Sequence, residues 1–311
     1  MYISSETRLF IREHSTDDVR TLALQSKKYP DVDMPVAITQ IAGRQIAAEK
    51  IPSWKKIEDI RYPKHLSLEQ CSSEITAYYK ASLLQGDSLT DLTGGFGVDC
   101  SFLAEKFKSV TYVERQEELC GIAAHNFPIL GLNHINVKNE DGIAHLKAMS
   151  PVDCIFLDPA RRNEHGGKAV AISDCEPDVA ELEGLLLNKA KQVMVKLSPM
   201  LDLSLALREL QQTQEVHIIS VNNECKELLL ILGQTVPQEI IIHCVNLSTK
   251  GEQEGQHFTF TREQEQCSQC NYTDSLDEYL YEPNASLLKA GAFKSLSSAF
   301  PIKKLHPNSH L

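Results

Sequence analysis

The sequence predicts an α/β fold: a doubly wound, seven-stranded mixed sheet, preceded by a helical region and followed by a small accessory segment. Three observations lead there. From residue 87 onward short apolar runs alternate with amphipathic stretches, the pattern of strand and crossover helix. A Gly-rich turn follows the first run. Two later runs, 216–221 and 228–233, are joined by only six residues, too few for the crossover that parallel neighbours need, so they pair antiparallel.

Residues 1–86 read as helical. Ile38, Ile41, Ala42, Gln45, Ile46 and Ala48 recur at helical spacing until Pro52 ends the helix. A second helix is expected from Ser67, where Ser-Leu-Glu-Gln offers an N-cap with Gln70 three residues on, through Leu84 to a stop at Gly86. Within 87–270, parallel strands are expected at 88–93, 109–115, 135–141, 153–160 and 192–199, then the antiparallel pair. Residues 239–248 and 257–262 flank a polar turn and read as a separate hairpin. The third region, 271–311, is a polar linker and a segment too short for a core of its own, expected to be the start of a longer accessory region.

Composition narrows the class. At 42% hydrophobic and 23% charged residues, the 311-residue chain fits a globular protein with one large domain or two modest ones. No run approaches the roughly 18 apolar residues of a bilayer span, and charges from Glu6 to Arg20 break up any secretory segment. Nine scattered cysteines suit a reducing compartment better than a disulfide framework. A cytoplasmic protein with no membrane partner is expected; nothing in the sequence sets an oligomeric state. The net charge of −11 excludes a surface that is basic throughout, but residues 283–311 hold four lysines and no acid.

Four acidic positions fall at or near the C-terminal ends of expected strands, where open α/β sheets bind ligands. Asp91-Leu-Thr-Gly-Gly-Phe-Gly-Val-Asp99 supplies Gly94, Gly95 and Gly97 for a sharp turn and a close approach of backbone to ligand. Against the dinucleotide template G-x-G-x-x-G, the third glycine position is Cys100, and Asp99 stands where a pyrophosphate would sit and be repelled. Glu114 can accept both hydroxyls of a ribose, Asp141 an adenine amino group, and Asp158 ends the fourth strand in Asp-Pro-Ala-Arg-Arg. Four carboxylates suit a ligand bearing an ammonium and a sulfonium, which points to S-adenosyl-L-methionine.

On these residues the chain resembles the class I S-adenosylmethionine-dependent methyltransferases with a Rossmann-like domain, and more closely the bacterial members carrying a THUMP-like C-terminal domain. The closer resemblance rests on Glu69-Gln-Cys-Ser-Ser-Glu-Ile-Thr-Ala77, Asp91 to Asp99, Val113-Glu-Arg-Gln, Asp158-Pro-Ala-Arg-Arg and Tyr281-Glu-Pro-Asn-Ala-Ser-Leu-Leu-Lys-Ala-Gly-Ala-Phe293. It implies that Asp91, Thr93, Gly94, Gly95 and Gly97 hold the methionine part of the cofactor, Glu114 its ribose and Asp141 its adenine, with Gln70 to Glu74 closing over them. It also implies a ferredoxin-like and THUMP-like tail associated with RNA, in which Lys289, Lys294, Lys303 and Lys304 with Phe293 and Phe300 would position a phosphate backbone.

Asp158 and Pro159 match the start of the Asp-Pro-Pro-Tyr/Phe pattern of enzymes that methylate exocyclic base amines, but Ala160 and Arg161 replace its last two residues. The acceptor pair, Asp158 and the Pro159 carbonyl, would still orient an amine, and Arg161 would stack on a base or hold a phosphate. The expected activity is methylation of an RNA base, with a small molecule or a protein side chain as the alternative substrate and a non-catalytic cofactor-binding module as the alternative class. Cys267-Ser-Gln-Cys270 supplies two zinc ligands of four, even with His243, Cys244 or His257 nearby as candidates, and no metal site is expected. Lys196, before Ser-Pro-Met, reads as a strand-end lysine with its head in water.

Overall fold

The computed structural model describes residues 3–161, 171–249, 255–276 and 278–309. The chain divides into two compact units, Met1–Ala148 and Met149–Leu311.

In the first unit six helices precede the strands: α1 (Ser5–Glu13), α2 (Val19–Leu24), α3 (Met34–Lys50), α4 (Pro52–Lys55), α5 (His65–Gln70) and α6 (Glu74–Leu83). Helix α3 begins where Asp33 accepts a hydrogen bond from the Val36 amide and a proline occupies the first turn. Its apolar side packs with Phe10, Ile11 and Leu22 around Met34, Ala37 and Ile41. Pro52 both ends α3 and starts α4, since its missing N–H costs nothing in a first turn. The single helix expected from Ser67 to Leu84 is instead two, α5 and α6, parted by extended backbone at Cys71 and Ser73. Between α3 and α8 (Glu117–Ile129) runs an extended segment whose Tyr62 exchanges two 2.9 Å hydrogen bonds with the Gln40 amide, while Arg61 exchanges two with the Asn126 amide. Trp54 and Tyr62 bring their rings to Phe96, at centroid distances of 5.2 and 6.2 Å.

Strands β1 (Ser88–Asp91), β2 (Ser109–Val113) and β3 (Ile135–Lys138) are parallel, β1 pairing with β2 and β2 with β3. Helices α7 (Val98–Ala104) and α8 connect them, and α9 (Gly142–Ala148) follows.

The second unit contains β4 (Val152–Leu157), a two-residue ribbon of β5 (Ala160–Arg161) and β6 (Cys175–Glu176), α10 (Val179–Lys189), β7 (Ala190–Leu197), α11 (Leu203–Glu209), β8 (Thr213–Val221), β9 (Glu224–Gly233), β10 (Ile241–Leu247), β11 (Gln256–Thr261), α12 (Arg262–Cys267), α13 (Ala285–Ala290) and α14 (Phe293–Ala299). Its main ladder runs β4-β7-β9-β8-β10-β11. Strand β7 is parallel to β4, β9 is antiparallel to both β7 and β8, β10 is parallel to β8, and β11 antiparallel to β10. The expected antiparallel pair is therefore present. It turns on Asn222 and Asn223 alone, both at positive φ, as a two-residue hairpin requires.

The fold is the expected α/β type with a mixed, largely parallel set of strands, but the main ladders hold nine strands, not seven. The expected separate hairpin, now β10 and β11, joins the edge of β8. The cause is β8 itself, buried along its last six residues and so unable to serve as a solvated edge. Helix α10 opens on Asp178, whose carboxylate accepts from the Ala180 and Glu181 amides. Asp178→Ala is expected to cost about 1 kcal/mol, read as a lower urea midpoint at unchanged slope. Among the described residues no helix is long and apolar enough to cross a membrane.

Candidate functional site

Strand β1 ends at Asp91, which is 1% exposed and accepts a hydrogen bond from the Thr93 amide at 3.0 Å. The chain then turns on glycines that serve different needs. A Cβ on Gly94 would lie 2.1 Å from the Tyr112 ring, so only glycine lets the loop lie on that ring. Gly95 (φ +55°) and Gly97 (φ +87°) adopt left-handed backbone, and around Gly95 a Cβ would meet nothing closer than 3.8 Å, leaving open space above the loop. The Tyr112 hydroxyl donates to the Gly95 carbonyl at 2.5 Å. Burial, reinforced by Glu114 and Asp91, pushes that phenol far up, so it remains a donor.

Glu114, one residue past β2 and 7% exposed, ties the loop to the neighbouring strand. One carboxylate oxygen accepts from the Gly95 amide at 2.8 Å and the other from the Gln116 amide at 2.7 Å. Each oxygen has two lone-pair directions, so each can accept one more hydrogen bond. Asp141 lies three residues past the end of β3, is exposed, and caps α9 through the Ile143 and Ala144 amides. The following Gly142 is a residue the sequence reading missed: a Cβ there would stand 2.3 Å from the Leu92 carbonyl oxygen, so α9 starts against the loop after β1. The first unit thus brings together Asp91, Thr93, Gly94, Gly95, Gly97 and Glu114, with Asp141 on the adjoining helix start. Gln70 is exposed at the end of α5, and no hydrogen bond among the described residues links it to that group. Its segment is held by the Lys50 ammonium, which donates to the carbonyls of Leu68, Glu69 and Cys71.

Behind the loop sits a second feature missed by sequence. Lys80 on α6, fully buried, lies 3.1 Å from Asp99 and donates to Ser72 Oγ at 3.0 Å, while Ser72 donates to Asp99 at 2.7 Å. The same bonds fix the break between α5 and α6. They also correct the electrostatic reading of Asp99. Its charge is matched inside the protein, so repulsion by Asp99 is no ground for excluding a pyrophosphate.

In the second unit, Asp158 follows β4 and is paired with Lys196 on β7, Nζ to Oδ2 at 2.5 Å. Lys196 is 9% exposed, so it is an inward-facing ion-pair partner and not the water-seeking lysine expected. Pro159 is buried beside Asp158. Ala160 and Arg161 form β5; the contact expected of the Arg161 side chain, and Arg162, lie outside the described residues.

Two of the four tail lysines are engaged internally. Lys289 donates to the Leu201 carbonyl at 2.7 Å; Lys304 donates to the Pro307 carbonyl and lies over the Phe293 ring at 4.9 Å. Phe300 remains exposed. Cys270 donates to the Phe293 carbonyl at 3.6 Å, and Cys267 is exposed.

Comparison with known proteins follows the same lines. The family model described as protein-L-isoaspartate(D-aspartate) O-methyltransferase matches residues 37–163, which include the glycine loop, and a model described as a ferredoxin-like domain matches residues 279–311. No curated protein matches the sequence. Among solved structures, a "putative methyltransferase from Porphyromonas gingivalis W83" is 35% identical, with a TM-score of 0.86 over 100% of this chain and 78% of that one. An rRNA methylase from Streptococcus thermophilus (15% identity, 51% of this chain and 93% of that one, TM-score 0.36) and a Streptococcus mutans structure described as a "putative methyltransferase" in complex with SAH (12%, 51% and 96%, 0.37) are far more distant and carry no argument about substrate. By its similarity to the P. gingivalis protein over the whole of the given sequence, this chain belongs to that protein's family and has the class I methyltransferase fold.

Proposed function

We propose that this protein is an S-adenosyl-L-methionine-dependent methyltransferase that acts on a base in RNA. The observation that carries the cofactor reading is the loop between Asp91 and Gly97 with Glu114 bonded to it. The loop has open space above Gly95, a buried carboxylate at its start and, at Glu114, a carboxylate with one acceptor position left on each oxygen. These residues fit the group: Asp91, Thr93 and the glycines would hold its amino acid part, Glu114 its ribose and Asp141 its adenine. When bound, the cofactor supplies an electrophilic methyl on sulfur. The chain's own part is positioning. In this reading Asp158 and the Pro159 carbonyl accept hydrogen bonds from the target amine, Lys196 holds the Asp158 carboxylate in one orientation, and Arg161 contacts the substrate. Residues 87–270 carry the chemistry, 271–311 belong to a THUMP-like accessory region, and the protein works in the cytoplasm.

RNA is supported by a depression in the first unit where Arg8, Arg12, Arg44, Arg61 and His125 outnumber the acidic Glu58 and Asp59. Arg8 pairs with Asp59 and Arg44 donates to the Glu58 carbonyl, but Arg12 and Arg61 make no ion pair among the described residues. Burial, and the charge of Arg8 beside it, both act against the Arg61 cation. Asp59 offsets part of that effect, and the arginines of the depression have the charge and fork geometry that a phosphate backbone would accept.

The test is transfer of labelled methyl from S-adenosyl-L-methionine into total RNA and total protein of cells lacking the protein, followed by nuclease or protease. Nuclease-sensitive label is the expected result. Asp158→Ala should bind cofactor normally yet lose transfer by about 100-fold or more, and Glu114→Gln should weaken cofactor binding. Label confined to protein and released by mild base would favour carboxyl methylation, the reading suggested by the match over residues 37–163. Label in neither pool, with cofactor bound, would overturn the RNA proposal.

A further inference from the structure

We propose that Glu215, His217 and His243 form a site for one divalent transition-metal ion of the zinc type, on the face of the sheet where β10 joins β8. The site is independent of the methyltransferase reading and departs from the sequence expectation of no metal. The ladder places the ligands: His217 on β8 is the direct partner of His243 on β10, and Glu215 lies two residues before His217, on the same face. Their donor atoms all lie within 4.8 Å of one another. Glu215 Oε2 is 3.2 Å from His217 Nε2 and 3.7 Å from His243 Nε2. With metal–ligand bonds of about 2.0–2.2 Å, tetrahedral coordination needs donors about 3.3 Å apart, so two of the three edges are already close to that value. The two imidazoles stack, 4.4 Å apart and 11° from parallel, with the His243 ring partly exposed.

The surroundings suit ligation. His243 Nδ1 is 3.1 Å from Thr259 Oγ1 on β11, which can accept the Nδ1 proton and leave Nε2 as the ligating nitrogen. His217 is 2% exposed, so its ring is held by packing. Cys244, one residue further along β10 and buried, points to the opposite face and is not a ligand. Two imidazoles and one carboxylate select zinc, nickel, cobalt or copper over calcium and magnesium. Three protein ligands leave a fourth position for water or for His257, whose ladder partner is Val245, two residues beyond His243.

The experiment uses the full chain, stripped with chelator and titrated with zinc chloride by calorimetry and with cobalt chloride by visible absorption. One ion per chain and a tetrahedral cobalt band are expected. His243→Ala and Glu215→Gln, both at partly exposed side chains, should each weaken binding by about tenfold or more, while a Cys267→Ser, Cys270→Ser double variant binds as the parent does. Zinc binding unchanged in His243→Ala, binding lost only in the cysteine variant, or no binding below millimolar zinc would each overturn the proposal.

Discussion

Lys80→Ala is expected to lower folding stability by about 3–5 kcal/mol, the usual cost of removing one member of a buried ion pair. Lys80 is 0% exposed and the Asp99 side chain 11%, so water can replace little of what the ammonium provides. The loss falls on a whole network, because Ser72 accepts from Lys80 while donating to Asp99. Replacing both charges by apolar groups of similar shape removes the uncompensated carboxylate along with the pair. Lys80→Met with Asp99→Leu should therefore be more stable than Lys80→Met alone. Urea denaturation of the two single variants and the double variant checks this, and a Lys80→Ala cost below about 1 kcal/mol would show a solvated pair instead.

Gly142→Ala sets two effects of opposite sign against each other. In a helix, alanine in place of glycine gains about 0.8–1.0 kcal/mol in propensity. Here its Cβ would stand 2.3 Å from the Leu92 carbonyl oxygen, and 3.4 Å from the carbonyl carbon. The obstacle is backbone, not the tip of a side chain, so either α9 or the loop after Asp91 must move. Overpacking of this kind costs about 1–3 kcal/mol, which outweighs the gain. Because Leu92 follows Asp91 directly, the displacement should also weaken S-adenosyl-L-methionine binding by about tenfold, or 1.4 kcal/mol. Urea unfolding and calorimetry measure the two effects, and a variant as stable and as tightly binding as the parent would refute the steric account.

Strand alternation, the antiparallel pair and the glycine loop were legible because each depends on local pattern: period, connection length and left-handed backbone. The joining of β10 to β8 was not, since it depends on which strand face lacks cover after folding. A signal existed all the same, in the apolar run Val216-His-Ile-Ile-Ser-Val221, too continuous for an edge. Lys80 also left a trace: it follows the buried Thr76 and Ala77 at helical spacing, on the apolar side of α6. Its partner Asp99 is nineteen residues away and belongs to another helix, so no periodicity could pair them. The same holds for Lys196 and Asp158, which the β4–β7 ladder brings together. Gly142 is a residue whose reason is a neighbour's carbonyl, and sequence alone does not show carbonyls.

Phe96 stands between two left-handed glycines, and its ring is 4% exposed, capped edge-on by Trp54 and flanked by Tyr62. The loop that turns most freely at its glycines is thus tethered by its aromatic residue to α4 and to the extended segment after it, dozens of residues earlier in the chain. Trp54, Tyr62 and Phe96 are therefore expected to vary together among relatives. A drift in any of the three would be felt at Gly95 and Glu114 before it was felt in the helices, and relatives that lose one of these rings should be found to have exchanged the others with it.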